Sequence, residues 1–246
     1  RELNKEEIRK INEITKIDTE VFIHGAMCTC YSGRCALSNY ITNRDANRGG
    51  CAQICRFTFE TDEEKSFTFA SRDLNMANHI KDLIEINVAS LKVEGRMRSI
   101  YYLATVIGTY REIIDRIYNN TLDNATMKVL EKRLDKVANR VTSTHFFNHY
   151  ADETDQYYTG RKEISNQDYL GVITGYDDEN KSIILIERNY FKKGDIVEIF
   201  TPDNKIYNYE IDKIYDEDMK EQEVANHPDQ VLKLPEYSMM RLIKKQ

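Results

Sequence analysis

Apolar residues recur at helical spacing along much of the first half of the chain. Asn4 can cap the first of these stretches, because Glu7 follows three residues later and Ile8 begins an apolar stripe. Helices are predicted over residues 5–16, 76–86, 98–118 and 122–139. Short runs rich in β-branched and apolar residues predict strands over 19–23, 66–70 and 89–93.

This alternation of strands and helices predicts a parallel sheet over residues 1–120. A closed eight-unit barrel needs roughly 250 residues, about 30 for each unit. Residues 1–120 have room for three or four units, and a half-barrel cannot close. Since the chain also begins at Arg1 and not at Met, we expect the front half of this domain to lie before Arg1.

The pattern changes in the second half of the chain. Residues 140–165 are polar and aromatic without a clear period, and we interpret 121–165 as a helix followed by a linker. From residue 166 onward, period-2 segments alternate with turn signals such as Lys193-Gly194-Asp195 and Pro202-Asp203-Asn204. Strands are predicted over 171–175, 182–187, 195–200 and 206–214. We therefore expect a small all-β barrel or sandwich over 166–246.

Composition and charge limit the classes of function. Hydrophobic residues make up 41% of the 246 residues and charged residues 31%, as in a globular protein. No apolar run approaches the roughly 18 residues of a membrane span, so we expect no membrane partner and a cytoplasmic protein. The net charge is −6, so a nucleic-acid partner would need a local basic patch in the first part of the chain.

All five cysteines lie between positions 28 and 55. An odd, clustered set argues against a disulfide framework and for a metal or cluster site. Four thiolates can hold either zinc or an iron–sulfur cluster, and the absence of paired Cys-x-x-Cys motifs favours the cluster only weakly. Five small buried residues remain the structural alternative.

The residues around the cysteines resemble the signature of the collagenase-like peptidase family U32. The resemblance is strong over residues 1 to about 120 and looser over the β domain. The matching stretches are Arg1-Glu2-Leu3, Glu20 to Cys28, Tyr31 to Ser38, Asn47 to Cys51, Cys55-Arg56, Ser71 to Leu74, and Leu91 to Arg96.

The resemblance implies a fold and a chemistry. It implies the C-terminal part of a TIM-like barrel followed by a small β domain. Members of the family hydroxylate nucleobases of tRNA or ribosomal RNA or a quinone precursor, several with a four-iron–four-sulfur cluster, and the tRNA enzymes require prephenate. By position, the cluster ligands would be Cys28, Cys35, Cys51 and Cys55. Cys30 lies outside that set. The family's Thr-Gly-Phe-Tyr stretch is replaced by Thr144-His145-Phe146-Phe147, which leaves no clear role for that loop.

Charged residues follow several of the predicted strands at their C-terminal ends, the face that carries the chemistry in barrels. We predict catalytic roles for His24, Arg72, Asp73, Lys92, Glu94 and Arg96. We predict substrate binding by Arg1, Glu2, Arg34, Arg48 and Arg56, because arginines suit phosphates and carboxylates. The alternative for Lys92, Glu94 and Arg96 is that they pair only with one another.

Three functions are compatible with these residues. The first is hydroxylation of an RNA, most specifically of a tRNA uridine to 5-hydroxyuridine, with an iron–sulfur cluster and prephenate or a related metabolite. The second is proteolysis, for which the sequence offers no His-Glu-x-x-His or Gly-x-Ser-x-Gly motif and only a Cys28–His24 pair. The third is a non-catalytic RNA-binding module. The sequence leaves open whether the protein forms a homo-oligomer.

Overall fold

The computed structural model describes residues 1–96, 98–138, 140–157, 169–201 and 204–235. The chain divides into two compact units, residues 1–166 and 167–246. The helices of the first unit are α1 (Lys5–Thr15), α2 (Leu37–Thr42), α3 (Ile80–Glu85), α4 (Ile100–Tyr118) and α5 (Asn124–Val137). Its strands are β1 (Glu20–Ala26), β2 (Phe59–Glu60), β3 (Ser66–Phe67), β4 (Ala70–Ser71), β5 (Asp73–Asn75), β6 (Ser90–Val93), β7 (Thr142–Ser143) and β8 (Gln156–Tyr157).

The helices begin where the sequence places capping residues. The Asn4 side chain accepts a hydrogen bond from the backbone of Glu7, and the Glu7 side chain accepts one from Asn4, so α1 starts with a capping box. Ser99 caps α4 and Asp123 caps α5 in the same way, each accepting from a backbone N–H three residues later. The predicted helices over 5–16, 98–118 and 122–139 are therefore confirmed to within two residues at each end.

The central sheet is mixed, and the prediction of a parallel sheet was wrong. Its strand order is β6-β1-β5-β7; β1 pairs with β6 in parallel and β5 pairs with β7 in parallel, but β1 and β5 are antiparallel. The predicted strand over 66–70 also differs, because Ser66 and Phe67 form a separate ribbon with β2 and the sheet strand begins at Asp73. After the cysteine segment, the chain therefore runs back beside β1 as the antiparallel strand β5. It does not make the crossover that would place β5 parallel to β1.

The linker prediction was wrong for residues 140–157. Thr142 and Ser143 form the fourth strand of the central sheet, and β8 pairs with β4. Two 3₁₀ turns, His145–Phe147 and Glu153–Asp155, lie between them. This segment therefore belongs to the first unit, and the rest of the predicted linker, 158–165, lies outside the described residues.

The core of the first unit lies between the sheet and the helices. Val21 and Ile23 point from one face of β1 into it, since alternate strand residues share a face. Helix α4 buries Val106, Tyr110 and Ile113 against the same core. Phe22, on the opposite face of β1, is partly buried and packs against the same core.

The second unit is all-β, as predicted. Its strands are β9 (Gly171–Asp177), β10 (Ser182–Glu187), β11 (Phe191–Lys192), β12 (Ile196–Phe200), β13 (Ile206–Glu210), β14 (Ile214–Tyr215), β15 (Glu221–Gln222), β16 (Val224–Ala225) and β17 (Val231–Pro235). A five-stranded sheet has the order β15-β14-β17-β10-β9, and β11–β16 and β12–β13 form two-stranded ribbons. The predicted turn at Pro202-Asp203-Asn204 falls largely outside the described residues. Within the part of the chain that the structure describes, no helix is long and apolar enough to cross a membrane.

Candidate functional site

The cysteine segment begins where β1 ends. Gly25, with φ of 111°, makes the transition, and a Cβ at this position would lie 2.3 Å from the carbonyl oxygen of Glu94. Asn47 then fixes the middle of the segment, because its side chain accepts from the N–H of Cys35 and donates to the carbonyl of Cys35, both at 3.1 Å. The Ser38 hydroxyl accepts from the N–H of Ala52 at 2.8 Å, which joins α2 to the second pair of cysteines.

The thiols lie close enough to influence one another. All five are free, and Cys51 is exposed while the other four are half-buried. Burial raises the pKa of the Cys30 thiol to about 11, and a hydrogen bond with Cys35 adds to the effect. Burial also raises the pKa of Cys55, and charge on Cys28, Cys51 and Cys35 adds to the rise while Arg56 opposes it. The charges of Cys28, Cys35 and Cys51 therefore reach Cys55, and Cys30 is hydrogen-bonded to Cys35.

The thiols are not spaced as a single zinc ion would hold them. A Zn–S distance of about 2.3 Å in a tetrahedron would bring the sulfurs to roughly 3.8 Å from one another. Among the described residues, the group of three ligand atoms within 4.8 Å of one another is His149, Asp152 and Asp155, not the thiols. A four-iron cluster binds each thiolate to a different iron and therefore accepts a wider spacing.

Arginines are interspersed with the cysteines along this segment. Arg34 is exposed, Arg48 is exposed and pairs with Asp45 at 3.3 Å, and Arg56 donates to the Gln53 side chain at 2.7 Å. With Arg44, four arginines and one aspartate give residues 28–56 a side-chain charge of about +3. The chain as a whole carries −6, so this segment is a local anion-attracting surface.

Arg1 and Glu2 contact the cysteine segment directly. Glu2 Oε1 accepts from the N–H and the hydroxyl of Ser32 at 2.9 and 2.7 Å, and Arg1 donates to the same hydroxyl at 2.9 Å. Burial opposes ionisation of Glu2, but the hydrogen bonds from Ser32 and Arg1 outweigh it and lower the pKa of the carboxyl. Both residues therefore hold the cysteine segment in place through Ser32.

Asp73 is a buried carboxylate held by two arginines. Arg98 Nη2 donates to Oδ2 at 2.9 Å and Arg140 Nη1 donates to Oδ1 at 2.8 Å. Arg98 also lies over the ring of Tyr102 at 5.0 Å. The sequence placed Asp73 at the C-terminal end of a strand; it begins β5 instead, and it reaches the cysteine end of the sheet because β5 runs antiparallel to β1.

His24 is buried in the middle of β1, not at its end. Only 3% of its surface is exposed, and burial lowers its pKa to about 4; charge on Asp73 opposes the shift and Arg98 adds to it. The Tyr110 hydroxyl accepts from the Met76 N–H at 3.1 Å and donates to the Ile23 carbonyl at 2.9 Å. The same hydroxyl lies 3.2 Å from His24 Nδ1 and 3.2 Å from Asn75 Oδ1.

Lys92, Glu94 and Arg96 do not form the mutual ion pairs considered as an alternative. Lys92 pairs with Glu20 at 2.7 Å and lies over the Phe22 ring at 5.3 Å, within β6 and not at its end. Glu94 follows β6, where its N–H donates to the His24 carbonyl at 2.8 Å. Arg96 is exposed, and its side chain has no partner among the described residues.

Arg72 is held through its backbone. Its N–H donates to the Asp155 carbonyl at 2.8 Å, and its carbonyl accepts from His145 Nε2 at 2.9 Å. The Asp155 carboxylate in turn accepts from Ser143 and from His149 Nε2. The buried Nε of Arg72 has no partner among the described residues, so the guanidinium has donor capacity left for a ligand.

Sequence reasoning missed Arg98, Arg140, Tyr102, Tyr110 and Asp155. Arg98 stands two residues after the stretch from Leu91 to Arg96, so its charge at that position could have indicated a role in the site. Arg140 and Asp155 lie in the segment interpreted as a linker. Tyr110 was assigned to the apolar stripe of α4, and nothing in that stripe reveals the role of its hydroxyl.

Comparison with known proteins identifies similar families and relatives. The model of Peptidase family U32 matches residues 1–157, and that of the Peptidase family U32 C-terminal domain matches 165–241. The tRNA hydroxylation protein P1 of Bacillus subtilis is 39% identical over 246 residues, covering 95% of this chain and 58% of the relative. The tRNA hydroxylation protein P of Haemophilus influenzae is 30% identical, covering 87% and 58%.

The name of a third relative describes an activity on ribosomal RNA. The 23S rRNA 5-hydroxycytidine C2501 synthase of Escherichia coli is 37% identical over 132 residues, covering 51% of this chain and 20% of the relative. The chain spans 58% of the length of each of the first two relatives.

Proposed function

The chain belongs to peptidase family U32, and we propose that it carries the cofactor site and part of the substrate surface of an RNA-hydroxylating enzyme. The observation that carries the proposal is a segment of positive charge that contains all five cysteines and is folded by the contacts of Asn47 and Ser38. Thiolates can act as ligands of a redox cofactor, and arginines bind phosphates. The names of the three relatives support an RNA as the substrate.

The specific reaction proposed is conversion of a tRNA uridine to 5-hydroxyuridine. Replacing the hydrogen at C5 by hydroxyl inserts one oxygen atom and removes two electrons from the base. An oxygen source and a two-electron acceptor must therefore take part, and we propose that prephenate or a related acid is required alongside them. Its carboxylates match the donors of Arg72 and Arg96, the first with a free buried Nε and the second exposed.

The proposed cofactor is a four-iron–four-sulfur cluster held by Cys28, Cys35, Cys51 and Cys55. Such a group supplies electron transfer, which no side chain provides. Cys30 remains outside the set, and its thiol is hydrogen-bonded to that of Cys35. The fold proposed for the complete enzyme is a TIM-like barrel, of which the mixed sheet described above is a part.

The neighbouring residues have distinct proposed roles. Because the pKa of His24 is about 4, it is neutral at physiological pH and serves as a hydrogen-bonding group, not as a cation. Asp73 is occupied by Arg98 and Arg140 and acts as a positioning residue that fixes both guanidiniums. Lys92 is held by Glu20 and contributes positive charge beside Phe22.

Proteolysis, which the family's description suggests, finds less support in the geometry. His24 bonds to Tyr110 and not to a thiol among the described residues. Ser143, Asp155, His145 and His149 lie together, but Asp155 holds the middle position that histidine occupies in a serine triad. Neither arrangement activates a nucleophile.

Anaerobic purification tests the proposal. We expect iron in the protein and an absorption band near 400 nm, and we expect the gene to restore 5-hydroxyuridine to tRNA in cells that lack it, measured by mass spectrometry. A colourless, iron-free protein that cleaves peptides would overturn the proposal in favour of proteolysis.

A further inference from the structure

The ribbon of β2 and β3 brings three phenylalanine rings into contact. Phe59 and Phe67 pair across it with ring centroids 5.6 Å apart, and Phe69 contacts both rings at 5.2 Å. Thr68, which points to the opposite face, is 2% exposed and donates to the Tyr157 carbonyl. Thr68 therefore lies against the body of the unit, and Phe67 and Phe69 on either side of it point the other way.

Phe59 and Phe67 are half-buried. Phe69 is 42% exposed, and Phe57, which precedes the ribbon, is 53% exposed. Exposed aromatic rings that lie near one another mark a binding surface. We call residues 57–69 the phenylalanine ribbon.

The phenylalanine ribbon is joined directly to the thiols. The N–H of Phe69 donates to the carbonyl of Cys55 at 3.1 Å, and Arg56 stands between Cys55 and Phe57 in the chain. The rings thus border the segment of charge about +3 that holds the cysteines. Exposed aromatic rings beside arginines are a combination by which proteins bind single-stranded nucleic acid.

We propose that the phenylalanine ribbon is a stacking platform for unpaired bases of an RNA substrate, placed next to the thiol cluster. The inference rests on the proposed function for the identity of the substrate. The far turn of the ribbon carries Asp62, Glu63 and Glu64, which repel phosphates. The RNA therefore crosses the ribbon at its Cys55 end, where Arg56 and Phe69 lie, and not at the turn.

A single tryptophan provides the first test, because the chain contains none. In Phe69→Trp, addition of an unstructured oligouridine of about 12 nucleotides is expected to quench the indole fluorescence through base stacking. The control is Tyr118→Trp at the end of α4, where the residue is 67% exposed and outside the ribbon. Equal quenching in both variants, or none in either, would overturn the proposal.

Matched substitutions separate stacking from apolar contact. Binding of the same labelled RNA, followed by fluorescence anisotropy, is expected to weaken about 10-fold in Phe69→Leu and to stay within about 2-fold in Phe69→Tyr. Leucine keeps an apolar side chain but has no π face. Binding of the RNA by Phe69→Leu at the wild-type affinity would overturn the proposal. So would a wild-type dimer in analytical ultracentrifugation that Phe69→Leu dissociates, since the ribbon would then be an interface between two copies of the chain.

The stacking platform and the proposed RNA-hydroxylating function can be overturned independently. Quenching in Phe69→Trp without iron in the protein or hydroxyuridine in cells would leave the platform standing and overturn the proposed function. Iron and hydroxylation in the wild type, with unchanged RNA binding and hydroxylation in Phe69→Leu, would overturn the platform alone.

Discussion

Arg140 donates to the carboxylate of Asp73 from a distance of 67 residues along the chain, in a pair whose side chains are only 5% and 8% exposed. Arg98 holds the other carboxylate oxygen. The three residues join the loop after β6, the start of β5 and the segment before β7 at one end of the sheet. This buried group of three charged residues, and not any single strand, fixes the end of the sheet beside the cysteine segment.

Asp73→Asn is expected to destabilise the first unit by about 3 kcal/mol, because it leaves two guanidiniums without their counter-charge in a buried position. Urea denaturation followed by circular dichroism measures the change. Arg111→Gln is the control, since its pair with Asp115 is exposed on α4 and is worth less than about 1 kcal/mol. A loss in Asp73→Asn no larger than in the control would show that the buried group is not structural.

The sequence predicted the helices well because their apolar spacing and capping residues are local signals. It failed at β5, β7 and β8, which have two or three residues each and exist only through pairing with distant strands. A three-residue strand has no period of its own, so the direction of β5 could not be read from Asp73 to Asn75.

The cysteines were found from the sequence because thiols are rare and their clustering is visible. The partners of Asp73 were not found, because a buried charge reveals its partners only in three dimensions. The position of Phe69 beside Cys55 likewise depends on the path of the ribbon and not on spacing.

Gly25→Ala is expected to destabilise the protein by more than Gly33→Ala. Both glycines have positive φ, at 111° and 73°, so both substitutions carry backbone strain of about 1–3 kcal/mol. A Cβ at Gly25 also meets the Glu94 carbonyl at 2.3 Å, whereas nothing lies within 4 Å at Gly33. Urea midpoints of the two variants give the comparison, and equal losses would show that the contact with Glu94 is relieved without cost.

Stability is expected to fall as the pH drops from 6.5 to 4. The folded pKa of His24 is about 4 and its unfolded value is 6.5, so in this window the unfolded chain binds a proton that the folded chain does not. The contribution is fully present above pH 6.5 and is lost as the pH falls, by up to about 3 kcal/mol. Urea denaturation at pH 7, 5.5 and 4.5 should show a shallower dependence in His24→Gln, and parallel curves for the two proteins would contradict the assignment.

Cys35→Ala is expected to lose both iron and tRNA hydroxylation, because each thiolate of a four-ligand site holds part of the cluster. Cys30→Ser is expected to change neither, since Cys30 lies beside the proposed set. Iron content, absorbance near 400 nm and the 5-hydroxyuridine content of tRNA are measured for both variants. Loss of iron in Cys30→Ser with retention in Cys35→Ala would exchange the roles of the two residues.

Arg96→Lys is expected to keep the iron and lose most hydroxylation. Arg96 is exposed after β6 without a side-chain partner among the described residues, so its substitution should leave the urea midpoint unchanged. A lysine keeps the charge, but it cannot make the paired hydrogen bonds that guanidinium makes to a carboxylate or phosphate. Arg34→Lys, also an exposed arginine but within the cysteine segment, is the comparison: it should lower activity only slightly if its charge alone matters. Full 5-hydroxyuridine content in cells carrying Arg96→Lys would show that Arg96 contributes charge and no directed hydrogen bonds.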